Sequence, residues 1–144
     1  ASLRFGYLIG SDQAIKPIDA CRLGYESNSL CLHAASVLLD CFESHVQPSI
    51  DSICEGRDYL RTQAIEHGMQ AWGSVSNSVL IDLGSKERMI RAGMGLESKD
   101  IYVKWALPEP LDQHILVTCG PKELMERFLN EFLDTLDENQ ETGN

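Results

Sequence analysis

The alternation of apolar and polar positions is clearest over residues 100–136, where its period changes once. Ile101, Val103, Trp105 and Leu107 alternate with Tyr102, Lys104 and Ala106, the period-two mark of a half-buried strand. Pro108 and Pro110 remove backbone donors and fix φ, so the chain turns through 108–113 before His114, Ile115, Leu116, Val117 and Thr118 make a second strand. Ile115, Leu116 and Val117 are apolar on both faces, which predicts a central strand. Behind Pro121, a residue suited to the first helical position, Leu124, Met125, Phe128, Leu129, Phe132, Leu133 and Leu136 recur at three- and four-residue spacing. That spacing predicts a closing helix with one apolar stripe.

Upstream, Leu3, Phe5, Tyr7 and Ile9 alternate with Arg4, Gly6, Leu8 and Gly10 and predict an N-terminal strand, while Pro17 and Gly24 leave 15–25 irregular. Ser27, Asn28 and Ser29 are N-cap candidates for a helix over 30–46. Leu30, Ala34, Val37, Leu38 and Cys41 form one stripe of that helix, and Cys31, Ala35, Leu39, Phe42 and Val46 a second beside it. A helix so widely apolar must be buried on more than one side, in the middle of the domain or in a dimer interface through Leu30, Val37, Leu38 and Phe42. Pro48 opens the next helix, with Ile50, Ile53, Cys54, Leu60 and Ala64 inward and Gly68 as its C-cap. Gly56 in its middle costs about 1 kcal/mol relative to Ala and marks a point where it can break. Trp72, Gly73 and Ser74 read as a loop. Val79, Ile81 and Leu83, then Ile90, Ala92, Met94 and Leu96, alternate on either side of 84–87, and Gly93 with Gly95 argues against a helix over 88–96. A hairpin is expected there.

These elements add up to an α+β fold. The expected architecture is a single two-layer domain over 1–136, with a mostly antiparallel sheet of a four-strand meander plus the N-terminal strand. Two central helices and the C-terminal amphipathic helix pack it, and 137–144 is a frayed or disordered acidic tail. The layout is similar to small dimerising regulatory folds of the profilin-like kind, with no motif residue carried over.

Composition narrows the partners. With 22 Asp and Glu against 12 Lys and Arg, the formal net charge is −10, which repels phosphate backbones and anionic lipid and excludes nucleic acid and membrane as general partners. The charge is polarised: 84–106 holds five basic and three acidic residues, and 107–144 holds two and nine. Five cysteines without a C-x-x-C pair read as reduced thiols in a cytoplasmic protein. The N-terminal apolar stretch is too short and too alternating for a signal peptide, and no run reaches transmembrane length. The first residue is Ala1 and not Met, consistent with a longer parent.

Candidate chemistry is sparse. Cys119 ends a strand just before a helix N-terminus, where the dipole lowers a thiol pKa, so it is the candidate nucleophile. His114 falls on the opposite strand face, and a base would have to come from His33, His45 or His67. Cys41 and His45 lie four apart on a helix, but a zinc site needs three or four converging ligands, so no metal is assigned, and no cofactor either. The run 84–86 and the pair Gly93 and Gly95 match no phosphate-loop fingerprint. Ser85, Lys86 and Arg88 would surround an anion only if 85–93 were helical. Trp72, Lys86, Arg88 and Trp105 are the ligand-binding candidates. Glu131, Asp134, Asp137 and Glu138 crowd the end of the closing helix against its dipole, with no basic residue after Arg127, and form a candidate surface for a basic partner segment.

No G-x-S-x-G, H-E-x-x-H or supported carboxylate pair appears, which points away from an enzyme. The first reading is a non-catalytic, self-associating interaction or regulatory module, a homodimer that binds a basic partner segment. The second is a small-ligand-binding domain or small enzyme with a pocket between the helices and the meander, using Cys119.

Overall fold

Val79 and Ile81 anchor the middle strand of a three-stranded antiparallel sheet. The computed structural model describes residues 6–22 and 28–137. In it β1 (Gln70–Trp72), β2 (Ser78–Asp82) and β3 (His114–Thr118) lie in the order β1-β2-β3. Ala71 pairs with Ile81, Ile81 with Ile115 and Val79 with Val117, so the period-two pleat puts all five on one face, and all five are buried. The other face carries Trp72, Leu80 and Leu116 in one row across the strands, with Asp82 paired to His114 beside it.

The described residues form five helices, α1 (Asp12–Ala20), α2 (Ser29–Asp40), α3 (Gln47–Glu66), α4 (Lys86–Ser98) and α5 (Lys122–Asp137), and a π-helical turn at Phe42–Val46 between α2 and α3. The chain divides into two compact units, 1–48 and 49–144.

In the second unit the core joins the buried sheet face to Leu60 and Ala64 of α3, Met89, Ala92 and Leu96 of α4, and Met125, Phe128, Leu129 and Phe132 of α5. Each fully buried large side chain among these contributes about 1.5–3 kcal/mol. Phe128 and Phe132 stack at 5.5 Å, the one-turn spacing that the closing stripe predicts. In the first unit α1 has no buried residue, and its Lys16 and Asp12 pair at 3.5 Å. Asn28 caps α2, its Oδ1 accepting from the Cys31 amide at 2.9 Å.

The sheet has three strands and not a four-strand meander with an N-terminal fifth, so the profilin-like layout falls with the meander. Residues 1–5 of the expected N-terminal strand lie outside the described residues, and 6–10 have no regular structure. The expected irregular stretch holds α1, which tolerates Pro17 inside it at the loss of one backbone bond. The expected helix over 30–46 is α2, which ends at Asp40 and is followed by the separate π turn at Phe42–Val46. Trp72 closes β1 instead of opening a loop.

The alternation over 101–107 survives as burial, with Ile101, Val103, Trp105 and Leu107 half-buried and Tyr102, Lys104 and Ala106 exposed. It pairs with β3 only at Lys104 and Leu116, whose amides and carbonyls exchange bonds of 3.1 and 2.8 Å. Asp100 and Ala106 at φ 58° and 54° bend the chain away on either side. β2, not β3, is therefore the central strand.

The expected hairpin over 88–96 is α4, with Ser85 Oγ accepting from the Arg88 amide at 3.2 Å. Met89, Ala92, Gly93 and Leu96 face the core at helical spacing. The two glycines reflect close packing and not strand structure: the Trp105 ring occupies the place of a Gly93 Cβ, and Thr135 of α5 would lie 2.9 Å from a Cβ at Gly95. Gly56 has the same origin. α3 runs through it unbroken, because the Gly120 carbonyl oxygen sits where its Cβ would be.

Candidate functional site

The sheet face opposite the core gathers groups that the core cannot use. Trp72, 48% exposed, stands in line with Leu80 and Leu116, and its ring lies 5.7 Å from that of His114 at 40°. Beside this row α3 brings Arg61, and together with Trp72, Ser74, Ser76, Ser78, Leu80 and Leu116 it lines a cavity of about 400 Å³. Among the described residues two buried side-chain nitrogens lack a hydrogen-bond partner, Arg61 Nε and His114 Nδ1. One lines this cavity and the other belongs to a ring in contact with Trp72. Buried polar atoms are nearly always paired, so two orphans beside one aromatic set this face apart from the core side of the sheet.

The loop that carries the serines is held in place. Arg57 of α3, buried, donates from Nε to Asp58 Oδ1 at 3.0 Å and from a terminal nitrogen to the Ser76 carbonyl at 3.3 Å. Hydrogen bonding to Asp58 raises the Arg57 pKa above its ordinary value and keeps the guanidinium charged. Ser76 Oγ donates to the Ser78 carbonyl at 3.2 Å and accepts from the Ser78 amide at 3.3 Å. Ser78 Oγ donates to Asn77 Oδ1 at 3.4 Å. A second groove of about 360 Å³ runs between 100–104 and α5, lined by Lys104, Thr118 and Arg127 over an apolar floor that includes Leu124 and Phe128.

Of the sequence candidates, only Trp72 reaches the open face. Cys119 points into the core at 5% exposure, and burial pushes its thiol above the usual 9.0 despite the nearby Arg57 charge and the Val79 backbone bond. The expected nucleophile is a core thiol whose neutral form is favoured, because desolvation outweighs the Arg57 charge and the Val79 bond. His114 does lie on the opposite face from it. Trp105 packs on Gly93 and donates from Nε1 to Glu97 at 2.8 Å. Residues 86–98 are helical, but the α4 N-terminus is filled by the chain's own groups. Ser85 caps Arg88, Asp82 accepts from the Gly84 amide at 2.8 Å, Lys86 pairs with Asp112 at 3.5 Å, and Arg88 donates to the Leu83 carbonyl at 3.4 Å.

The acidic end of α5 is also not uncompensated. Lys99, at the end of α4, pairs with Glu131 at 2.9 Å and Asp134 at 3.8 Å, so the basic residue missing from α5 comes from its neighbour. Asp137 is exposed and Glu138 lies outside the described residues. On α2, Leu30, Val37 and Leu38 are exposed at 71%, 47% and 44%, and Phe42 is half-buried. Cys41 and His45 recruit no third ligand: among the described residues no three His, Cys, Asp or Glu side chains converge as a metal site.

Sequence reading missed Arg61 and Ser74 and considered His114 only to set it aside as a base for Cys119. One signal was present: Ile53, Arg57, Leu60 and Ala64 form the inward stripe of α3, which puts a basic residue on the buried side and Arg61 one position off it.

No family model matches the sequence. Over 97% of its length the chain is 26% identical to a histidinol-phosphate aminotransferase of Geobacillus sp. (strain WCH70), and over 94% it is 25% identical to one of Halobacterium salinarum. It spans 38% and 36% of those relatives' own length. Among solved structures, the histidinol-phosphate aminotransferase of Sinorhizobium meliloti in complex with pyridoxal-5'-phosphate superposes with a TM-score of 0.69 at 17% identity, covering 88% of this chain and 34% of that one. A putative aminotransferase of Burkholderia pseudomallei superposes at 0.65 and 24%, covering 87% and 38%. The fold is aminotransferase-like. These relationships to enzymes overturn the reading of the chain as a non-catalytic module that binds basic segments.

Pyridoxal phosphate is held through a Schiff base to a lysine, activated by desolvation, with an acidic or basic partner at its ring nitrogen. The five lysines here do not fit that role. Lys16, Lys86, Lys99 and Lys122 are paired with Asp12, Asp112, Glu131 and Glu55 at 3.5, 3.5, 2.9 and 4.0 Å, and Lys104 is exposed. None lines the cavity beside Trp72.

Proposed function

We propose that the chain is a segment of a pyridoxal-phosphate-dependent amino-group transferase, one that supplies a wall facing the substrate, with the cofactor-bearing lysine in polypeptide outside these 144 residues. The observation that carries this is the likeness to histidinol-phosphate aminotransferases over nearly the whole chain, set against a chain that spans 38% of such a relative. The open sheet face supports the assignment to a wall, since exposed Trp72, in line with half-buried Leu80 and Leu116, is flanked by two buried nitrogens without a partner. The exposed leucines and valine of α2 support a further burial partner, and we assign a second copy, making the assembly a homodimer. Five cysteines outside any disulfide support a cytoplasmic setting, and no described helix is long and apolar enough to cross a membrane.

The test is a graft. The matching region of the Geobacillus relative is replaced by this chain, and the chimera is assayed for folding, pyridoxal phosphate retention and amino transfer. Retention of the cofactor by a folded chimera is expected. A folded chimera that holds no cofactor, when the unmodified relative prepared in parallel does, contradicts the reading.

A further inference from the structure

We propose that the groove between 100–104 and α5 is a docking site for an extended segment of a partner protein, one with two adjacent acidic residues flanked by apolar ones. Nothing in this groove depends on a cofactor or on amino transfer.

The backbone asks for an extended partner. Lys104 and Leu116 exchange both of their bonds, so the next pair of an antiparallel ladder on that side would be Tyr102 with Thr118. That pair stays open. Asp100 at φ 58° turns the chain aside, and among the described residues neither Tyr102 nor Thr118 spends its amide or carbonyl elsewhere. Thr118 ends β3 with those groups directed away from β2, since it is the next residue, Cys119, whose amide bonds to Asn77. A strand edge with free donors and acceptors is a template for another extended chain, so the fork between Tyr102 and Thr118 suits a backbone in strand conformation and not a helix.

The side chains narrow the partner. Lys104 and Arg127 line the groove with side chains that make no ion pair or hydrogen bond among the described residues, whereas Lys16, Lys86, Lys99 and Lys122 each hold a carboxylate. Asp100 is the one carboxylate that lines it, so the groove is net positive in a chain of net charge −10. That contrast selects an acidic partner. Successive side chains of a seated strand turn to opposite faces. One set meets Leu124, Phe128 and Arg127 of α5, and the other meets Lys104 and Tyr102, which share a face by the pleat. Each face thus offers one cation beside apolar surface, and Leu124 and Tyr102 are 54% and 76% exposed at the rim. Two neighbouring acids in an apolar run satisfy both faces at once.

The experiment is a titration of the full 144-residue chain with the peptide acetyl-Leu-Val-Glu-Glu-Val-Leu-amide and its Gln-Gln and Lys-Lys counterparts, followed by the amide NMR signals of Tyr102 and Thr118. Saturable shifts of both signals with the Glu-Glu peptide are expected, with the Gln-Gln peptide about tenfold weaker and no binding of the Lys-Lys peptide. Arg127→Gln and Lys104→Gln should each weaken the Glu-Glu peptide about twofold to fivefold, the range of an exposed ion pair, and the double variant should bind the Glu-Glu and Gln-Gln peptides alike. N-methylation of the two Glu amides keeps the charges and should abolish binding, while Arg91→Gln on α4 should bind like the parent. The site is overturned by no saturable shift of the two signals with the Glu-Glu peptide, by equal binding of the Gln-Gln or the N-methylated peptide to the parent, or by unchanged binding in a folded double variant. Shifts of the same signals with protein concentration alone would seat a second copy in the groove and overturn it as well.

Discussion

Replacing Gly56 by Ala tests the packing of α3 against the turn before α5. Judged by helix propensity alone, the change should stabilise, since Gly in a helix interior costs about 1 kcal/mol relative to Ala. The structure reverses the sign. A Cβ at position 56 would collide with the Gly120 carbonyl oxygen and lie 3.1 Å from both Met125 Cγ and the Pro121 carbonyl carbon. Two of the three obstacles are backbone atoms, next to a strand on one side and a helix on the other, so they cannot swing aside as a side chain end would. Overpacking of this kind costs about 1–3 kcal/mol, and a backbone obstacle belongs at the upper end. Subtracting the propensity gain leaves a net loss of about 2 kcal/mol, roughly a thirtyfold fall in the folded-to-unfolded ratio. The melting temperature should drop by about 4–8 °C. Urea unfolding of parent and variant, followed by far-ultraviolet circular dichroism, measures this directly. A variant with an unchanged or higher midpoint would show that α3 does not approach Gly120 closely, and the packing argument for all three interior glycines would fall with it.

The same reasoning grades Gly95→Ala below Gly56→Ala, because its obstacle is the Thr135 side chain; Thr135→Ser in the same molecule should recover part of the loss in urea unfolding. Lys99→Ala should cost about 0.5–1 kcal/mol by leaving Glu131 and Asp134 unpaired at the end of α5, a difference that shrinks as salt is raised in the same assay. Cys119 should resist iodoacetamide near neutral pH while exposed Cys21 reacts, as peptide mapping will read. Its folded thiol titrates above its unfolded value of 9.0, so the neutral thiol is what folding favours. Stability should therefore hold below pH 9.0 and fall as pH rises through the folded value, and Cys119→Ala should weaken that alkaline loss.

The core was readable from spacing, and the topology was not. Val79, Ile81, Ile115 and Val117 alternate in the sequence and share a buried face, and the stripe from Met125 to Phe132 is the buried side of α5. One recurrent cause of failure is glycine read as a breaker. Gly93 and Gly95 turned α4 into an expected hairpin, yet each marks a place where another element touches the helix backbone. Such contacts join residues far apart in the chain, and no local pattern carries them. Over 101–107 the alternation was real, but two residues with positive φ limit the pairing to one bridge, and neither Asp100 nor Ala106 advertises it.

The site was less legible than the core. Cys119 looked reactive because strand end and helix start are visible in sequence, whereas the burial that raises its pKa is not. Arg61 was missed because its neighbours on α3 do not reveal which cavity it lines or that its Nε–H lacks an acceptor. Lys99 was invisible as the partner of Glu131 and Asp134 for the same reason: the pair spans two helices.

The central claim is that this chain is part of an aminotransferase-like enzyme whose cofactor lysine lies elsewhere. Its most direct test is borohydride reduction of the pyridoxal-phosphate-loaded chimera with the Geobacillus relative, followed by mass spectrometric mapping of the modified lysine. A single stoichiometric adduct outside the 144 grafted residues is the predicted result. An adduct on Lys16, Lys86, Lys99, Lys104 or Lys122, or no adduct in a folded chimera, would contradict it.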